Sequence, residues 1–129
     1  ANLAGLGRYG TRVQIVEGSW FEPFPPELYA RFAVVVSNPP YVPEGADLPQ
    51  EVRSWEPGGA LFAGEQGTDD LWVLIDSAGR WLAPGGALVL EMSPEQTETA
   101  AERAEAWSTE VEVFDDLAGR ARGIIARRG

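Results

Sequence analysis

The sequence predicts one α/β domain whose sheet is mostly parallel and ends in an antiparallel hairpin. Two short apolar runs, at residues 33–36 and 87–90, lack alternation with polar residues, which is typical of parallel strands covered on both faces. A segment with helical spacing separates them, and strands that alternate with helices indicate a parallel sheet. The last two strands, at residues 111–114 and 123–126, follow each other without a helix, so we expect a hairpin.

The first half of the chain predicts short elements separated by irregular segments. Residues 1–10 resemble the end of a helix closed by glycine, residues 13–16 predict a short strand, and residues 17–21 form the loop after it. Prolines then exclude regular structure until a single helical turn at residues 27–30. The connection at residues 43–67 is rich in proline and glycine. Its length is typical of a functional loop, although a solvated segment fits it nearly as well.

The second half predicts two helices and three strands. Asp69 or Asp70 caps a helix that residues 84–86 terminate. Its apolar residues follow helical spacing: Leu71, Leu74, Ile75, Ala78 and Leu82. Residues 93–96 have the pattern of a capping box at the start of the second helix: Ser93 at the cap, Pro94 at the first helical position and Gln96 three residues after the cap. We find no repeat and no domain boundary, so residues 1–129 are expected to form a single domain.

The composition is that of an ordinary globular protein, and it excludes several kinds of chemistry. Of the 129 residues, 44% are hydrophobic and 23% charged, and neither cysteine nor histidine occurs. Thiol nucleophiles, Ser-His-Asp relays and Cys/His zinc sites are therefore excluded. The net charge of −10 repels a phosphate backbone and argues against broad nucleic-acid binding. No apolar run is long enough to span a membrane, and the missing cysteines are compatible with the cytoplasm, where we expect the protein.

The strongest candidate site consists of Asn38, Pro39, Pro40 and Tyr41, directly after a predicted strand. Ligands of open α/β sheets bind beyond the carboxyl ends of the strands. A planar amide or aromatic amine is a poor nucleophile, so an enzyme that alkylates it must hold its N–H groups with acceptors. The Asn38 side-chain oxygen and the Pro39 carbonyl can accept, and the ring of Tyr41 can stack on the planar group. The alternative is that Asn38 and Pro39 only open a turn after a core strand.

The chain resembles the second half of a Rossmann-like, class I S-adenosylmethionine-dependent methyltransferase, and within that class it is similar to the HemK/PrmC family. Sequence blocks in the family's order carry the resemblance over nearly the whole chain: residues 37–43, 51–53, 55–57, 60–61, 64–67, 84–86, 90–91 and 116–120. Enzymes of this family methylate the side-chain amide of the glutamine in the Gly-Gly-Gln loop of peptide-chain release factors. The resemblance thus implies S-adenosylmethionine as cofactor and a release factor as partner.

The resemblance also implies roles for the residues of the candidate site. Asn38 and Pro39 would hold the target amide nitrogen, and Asn38 would also lie next to the methyl group of the cofactor. Tyr41 would pack on the target, and Pro40 belongs to the same substrate-binding segment. These residues are therefore the expected catalytic and substrate-binding group.

Two further residues are expected at the cofactor. Trp20 matches a family position that flanks the adenine, although a partly buried core aromatic would also fit there. Ser19 stands where these enzymes commonly have an acidic residue that contacts the adenine amine, so a weaker contact is expected. Family members also carry a helical substrate-recognition domain and a Gly-rich cofactor loop before the region that resembles this chain. We therefore expect a domain truncated at its N-terminus that is inactive by itself.

The family's strand order has a consequence for the strand predicted at residues 13–16. Its ladder partners are not found in the sequence, so we expect this segment to pair with another chain, to move to a new partner, or to belong to a longer polypeptide. The unpaired strand also predicts self-association. The other four predicted strands keep their mutual contacts and should form one sheet.

Two other functions remain open from the sequence. An amino-methyltransferase acting on adenine or guanine in RNA or DNA would use the same tetrapeptide, because those amines also have a delocalised lone pair. The acidic charge and the sequence blocks at residues 51–67 argue against that function. The other alternative is a non-catalytic fragment that serves as an interaction module.

Overall fold

The structure is a computed structural model that describes residues 12–39 and 69–129. Within these ranges the chain forms the following helices and strands: β1 (Phe32–Ser37), α1 (Asp69–Trp81), β2 (Leu82–Glu91), α2 (Thr97–Ala104), β3 (Ser108–Asp115) and β4 (Ala121–Arg128). Short 3-10 helices at Pro26–Leu28 and Pro94–Gln96 precede β1 and α2. The first of these corresponds to the helical turn predicted at residues 27–30; it begins one residue earlier and ends two residues earlier.

The four strands form one mixed sheet in the order β1-β2-β4-β3. β1 and β2 are parallel, and β4 is antiparallel to both β2 and β3. The hairpin of β3 and β4 therefore places its second strand beside β2 and leaves β3 at the edge. The predicted α/β class, the parallel pair and the antiparallel hairpin are all confirmed, as is the prediction that these four strands share one sheet.

Helices α1 and α2 cover one face of the sheet. The buried face of α1 repeats at helical spacing, which confirms the predicted periodicity: Leu71, Leu74, Ile75, Ala78 and Trp81. All of them except Trp81 belong to one core cluster, together with Leu88 and Leu90 of β2, Ala100 and Ala104 of α2, and Ile124 and Ala126 of β4. On the surface, Arg103 of α2 donates two hydrogen bonds, of 2.7 and 2.6 Å, to the carboxylate of Asp76 on α1. Neither helix of the described ranges is long and apolar enough to cross a membrane.

The junction between α1 and β2 differs from the prediction. Leu82 begins β2 rather than belonging to α1, because it already pairs with Phe32 of β1. The pairing then shifts, so that Val34 faces Ala87 and the intervening residues of β2 form an irregularity. Residues 84–86 therefore do not terminate the helix, which ends at Trp81, but form a bulge in the strand that follows it.

The capping box predicted at residues 93–96 is confirmed. The Gln96 side chain accepts a hydrogen bond of 3.1 Å from the backbone N–H of Ser93, and Pro94 occupies the first position of the turn. Asp69 and Asp70 lie within the first turn of α1 rather than before it. These features define the residues at which the two helices begin.

Residues 13–16 form no strand, so the prediction of a strand there was wrong. Val13, Ile15 and Val16 are 45%, 59% and 41% exposed, and no described strand pairs with them. Apolar alternation makes a strand only where a neighbour completes the ladder, and no described strand does so here. The predictions for residues 1–10 and for the long connection at 43–67 lie outside the described residues.

Candidate functional site

The candidate site begins where β1 ends. Asn38 and Pro39 follow the last strand residue, Ser37, and therefore lie at the carboxyl edge of the parallel pair. Asn38 is exposed, whereas the side chain of Pro39 is fully buried. A buried proline ring anchors the backbone with its φ angle fixed, so the Asn38 side chain projects from a rigid support. Pro40 and Tyr41, predicted for the same site, lie outside the described residues.

Continuing the parallel register one residue beyond its last pair places Asn38 opposite Glu91, the last residue of β2. Ser37 pairs with Leu90 in the parallel register, so the next residues along the two strands are Asn38 and Glu91. Side chains alternate between the faces of a sheet, which places both on the face opposite to α1 and α2. Both residues are exposed. The carboxyl edge thus presents an amide and a carboxylate side by side.

Trp20 is held by the first turn of α1. Its indole N–H donates a hydrogen bond of 2.9 Å to Oδ1 of Asp70, and its ring packs against the buried core. Because α1 ends directly at the first residue of β2, the helix runs back along the sheet and its first turn lies toward the carboxyl edge. Trp20 therefore lies toward the edge of the sheet at which β1 and β2 end.

A cleft of about 410 Å³ opens beside Trp20. Its lining comprises Ser19, Trp20, Phe21, Glu22, Asp70, Val73 and Ser77. The structure thus brings Ser19 and Trp20 together, as predicted for a cofactor site. Among the described residues, the lining includes neither Asn38 nor Pro39, so the two pairs of predicted site residues occupy separate surfaces.

Asp70 and Glu22 are members of this cleft that the sequence did not reveal. Asp70 had been interpreted only as a helix cap, and the 50 positions between it and Trp20 leave no local signal for their contact. Both carboxylates can be charged hydrogen-bond acceptors, whereas Ser19 offers only a neutral hydroxyl in place of the acidic residue expected there. No group of three or more acidic side chains in residues 12–39 and 69–129 could hold a metal ion.

The chain is similar to proteins described as "Release factor glutamine methyltransferase". The relative from Deinococcus radiodurans is 41% identical over 121 residues, which are 92% of this chain and 42% of the relative. That from Mycolicibacterium smegmatis is 38% identical over 125 residues, or 92% of this chain and 43% of the relative. That from Cereibacter sphaeroides is 38% identical over 129 residues, or 98% of this chain and 45% of the relative.

The chain spans less than half the length of these three relatives, 42% to 45% of each. No protein-family model matches it. The identity is nevertheless 38% or more over at least 92% of the chain in all three comparisons. The fold, with its parallel pair and antiparallel hairpin, also agrees with the methyltransferase sheet expected from the sequence blocks. Over at least 92% of its length the chain is therefore similar to release factor glutamine methyltransferases.

Proposed function

We propose that the complete protein transfers a methyl group from S-adenosylmethionine to the side-chain amide of a glutamine in a peptide-chain release factor. The observation that carries the proposal is the 41% identity, over 92% of this chain, to a relative whose name states that activity. The position of Asn38 and Pro39 at the carboxyl end of β1 supports it, because a parallel strand of an α/β sheet presents ligand-binding residues there.

In this proposal Asn38 and Pro39 act on the nucleophile. Asn38 Oδ1 and the Pro39 carbonyl accept the two N–H groups of the target amide and hold its nitrogen in line with the methyl group. S-adenosylmethionine, when bound, supplies a methyl group on a positively charged sulfur. The methyl group would pass from this sulfur to the amide nitrogen held by Asn38 and Pro39, and the proton displaced from that nitrogen would leave to solvent or to a nearby oxygen. The protein contributes positioning and hydrogen bonding, which require no histidine.

The cleft beside Trp20 fits the adenine end of the cofactor. The indole offers a flat face, and its orientation is set by the hydrogen bond to Asp70. Glu22 and Asp70 line the same cleft and can accept hydrogen bonds from an exocyclic amine. Ser19 also lines it and would make a weaker contact than the acidic residue common in the family.

The direct test is Asn38→Ala in the complete protein. We expect the rate of methyl transfer to a release factor to fall by about 10²-fold or more, the scale for one positioned hydrogen-bonding group. Because Asn38 is exposed, the melting temperature should stay the same. Glu112→Ala, an exposed residue of β3, is the control that should keep full activity. Near-normal turnover of the Asn38 variant would reject the role, and methylation of adenine or guanine in an oligonucleotide instead of the release factor would favour the alternative function.

Tyr41 gives a second test of the same site. If its ring packs on the target amide, Tyr41→Ala should raise KM for the release factor more than it lowers kcat, since the loss concerns substrate engagement. Steady-state kinetics of the complete protein measure both constants. Unchanged constants would remove Tyr41 from the proposed site.

A further inference from the structure

The Asn38 amide has an acceptor end and a donor end, and only one of them suits the proposed reaction. The target nitrogen carries N–H groups, so it needs the oxygen of Asn38 and is repelled by the Nδ2 end. Asn38 is exposed, and no hydrogen bond to another described residue holds its amide in either orientation. Productive binding therefore requires a neighbour that selects one orientation.

Glu91 is the side chain best placed to do so. The last pair between β1 and β2 is Ser37 with Leu90. Asn38 follows Ser37, and Glu91 follows Leu90. Neighbouring strands lie about 4.8 Å apart, and a glutamate side chain spans that gap easily. Val36 and Val89, two positions before Asn38 and Glu91, pair with each other. Because side chains alternate between the two faces of a strand, Asn38 and Glu91 fall on the face that Val36 and Val89 share.

The other neighbours of Glu91 offer it no hydrogen-bond donor from a side chain. Its partner on β4 is Gly123, which has no side chain. The ring of Phe114 on β3 lies against Gly123, since a Cβ atom there would collide with it. Glu91 forms no ion pair with another described residue. The Asn38 side is thus the direction in which its carboxylate finds a polar partner within the sheet.

We infer that Glu91 is a positioning residue for Asn38: the two exposed side chains are not hydrogen-bonded in the structure, and rotation about their side-chain bonds lets the carboxylate accept an N–H of Asn38 Nδ2 and so turn Asn38 Oδ1 toward the target nitrogen. A carboxylate only accepts hydrogen bonds, so it selects one of the two amide orientations without ambiguity. The bond is charge-assisted and therefore stronger than one to a neutral acceptor. The inference rests on the proposed function for the identity of the target, whereas the Asn38–Glu91 bond can be tested without it.

The first experiment observes the bond itself. In the complete protein labelled with ¹⁵N, the Asn38 side-chain resonances are identified by their loss in Asn38→Ala. Glu91→Gln should shift these resonances. Glu112→Gln neutralises a carboxylate of β3 that lies on the same face of the sheet as Glu91, and it should leave the resonances in place. Unmoved Asn38 resonances in Glu91→Gln would overturn the inference even if methyl transfer proceeds as proposed.

The second experiment observes the consequence for catalysis. Glu91→Lys replaces an acceptor by a donor, so it would attract Oδ1 of Asn38 and present Nδ2 to the target. We expect kcat to fall by about 10²-fold, as for loss of the Asn38 oxygen itself. Glu91→Gln can still accept a hydrogen bond and should lower kcat by less than about tenfold. Cofactor affinity, measured by calorimetry, should be unaffected in both.

Glu112→Lys is the matched control, because it makes the same charge change on the same face of the sheet and should retain activity. Equal loss of kcat in Glu91→Lys and Glu112→Lys would indicate an effect of charge alone and overturn the inference. Equal loss in Glu91→Gln and Glu91→Lys would indicate that the carboxylate itself takes part in proton transfer, which also overturns it. If the wild-type protein methylates no release factor, the proposed function fails while the Asn38 resonances still decide the hydrogen bond.

Discussion

Asp116 shows how one carboxylate can organise a turn. Its Oδ1 accepts the backbone N–H groups of Ala118 and Arg120 at 2.9 and 3.0 Å, and so closes the connection from β3 to β4. The hydrogen bond from Arg120 is the main cause that lowers the pKa of Asp116 below its ordinary value, with further lowering by the Ala118 N–H and by the charges of Arg120 and Arg122. The folded chain thus favours the ionised form of this residue.

This lowered pKa predicts how the stability of the hairpin depends on pH. Because the folded pKa lies below the unfolded value of about 3.9, the stabilisation is present above that pH and is lost as the pH falls through the folded pKa. Asp116→Asn keeps an oxygen acceptor but does not titrate. In chemical denaturation the stability advantage of the wild type over this variant should be largest near neutral pH and shrink below about pH 4. An advantage that stays constant between these pH values would contradict the prediction.

The Trp20–Asp70 hydrogen bond joins two distant parts of the chain through two side chains. Both partners are half-buried, so replacing Trp20 by phenylalanine should lower the free energy of unfolding by about 1 kcal/mol from the lost bond, with a further contribution from lost packing. A double-mutant cycle with Asp70→Ala separates the two contributions. A coupling energy near zero would mean that the hydrogen bond does not hold the indole. No pattern in the sequence joins residues 50 positions apart, so this contact could not be predicted.

At the scale of whole elements, the sequence predicts what local periodicity determines. The buried stripe of α1 follows from spacing alone, because burial on one side imposes it. The apolar run of β1 correctly indicated a strand, but the expectation that both faces of this strand are covered was wrong, since Val34 and Val36 are exposed. The boundary between α1 and β2 could not be read in this way. Pro84, Gly85 and Gly86 resemble a helix stop, but Leu82 already pairs with Phe32, so tertiary pairing overrides the local signal.

The bulge in β2 gives a prediction that separates two glycines. Gly85 has φ +81° and open space around it, so asparagine, which tolerates the left-handed region, should be accepted there at a small cost. At Gly86 an added Cβ would lie 2.8 Å from the carbonyl oxygen of Phe32 and 2.9 Å from that of Ala83. Backbone atoms cannot swing aside, so Gly86→Asn should lower the free energy of unfolding by about 2 kcal/mol or more. Equal costs at the two positions would show that the close approach of β1 does not matter.

At the scale of the molecule, helices cover one face of the sheet and no described helix covers the other. α1 and α2 cover the first, while Val34 and Val36 of β1 are 54% and 71% exposed on the second. The two edge strands also differ in charge. β3 carries Glu110 and Glu112, which discourage pairing with another strand, whereas β1 has no charged residue. An unpaired strand was predicted at residues 13–16, where the structure has none; among the described strands, the uncharged edge is β1.

This asymmetry predicts that association of the 129-residue chain proceeds through β1. An uncharged, β-branched edge strand offers unpaired N–H and C=O groups and an apolar face to a second copy, so sedimentation at increasing concentration should reveal dimers or larger species. Val36→Lys places a charge on the exposed face of β1 and should shift the chain toward the monomer. Val113→Lys makes the same substitution at a 42% exposed position on the opposite edge strand, where it should have little effect. A chain that remains monomeric at all concentrations, or two variants that respond alike, would rule out β1 as the site of association.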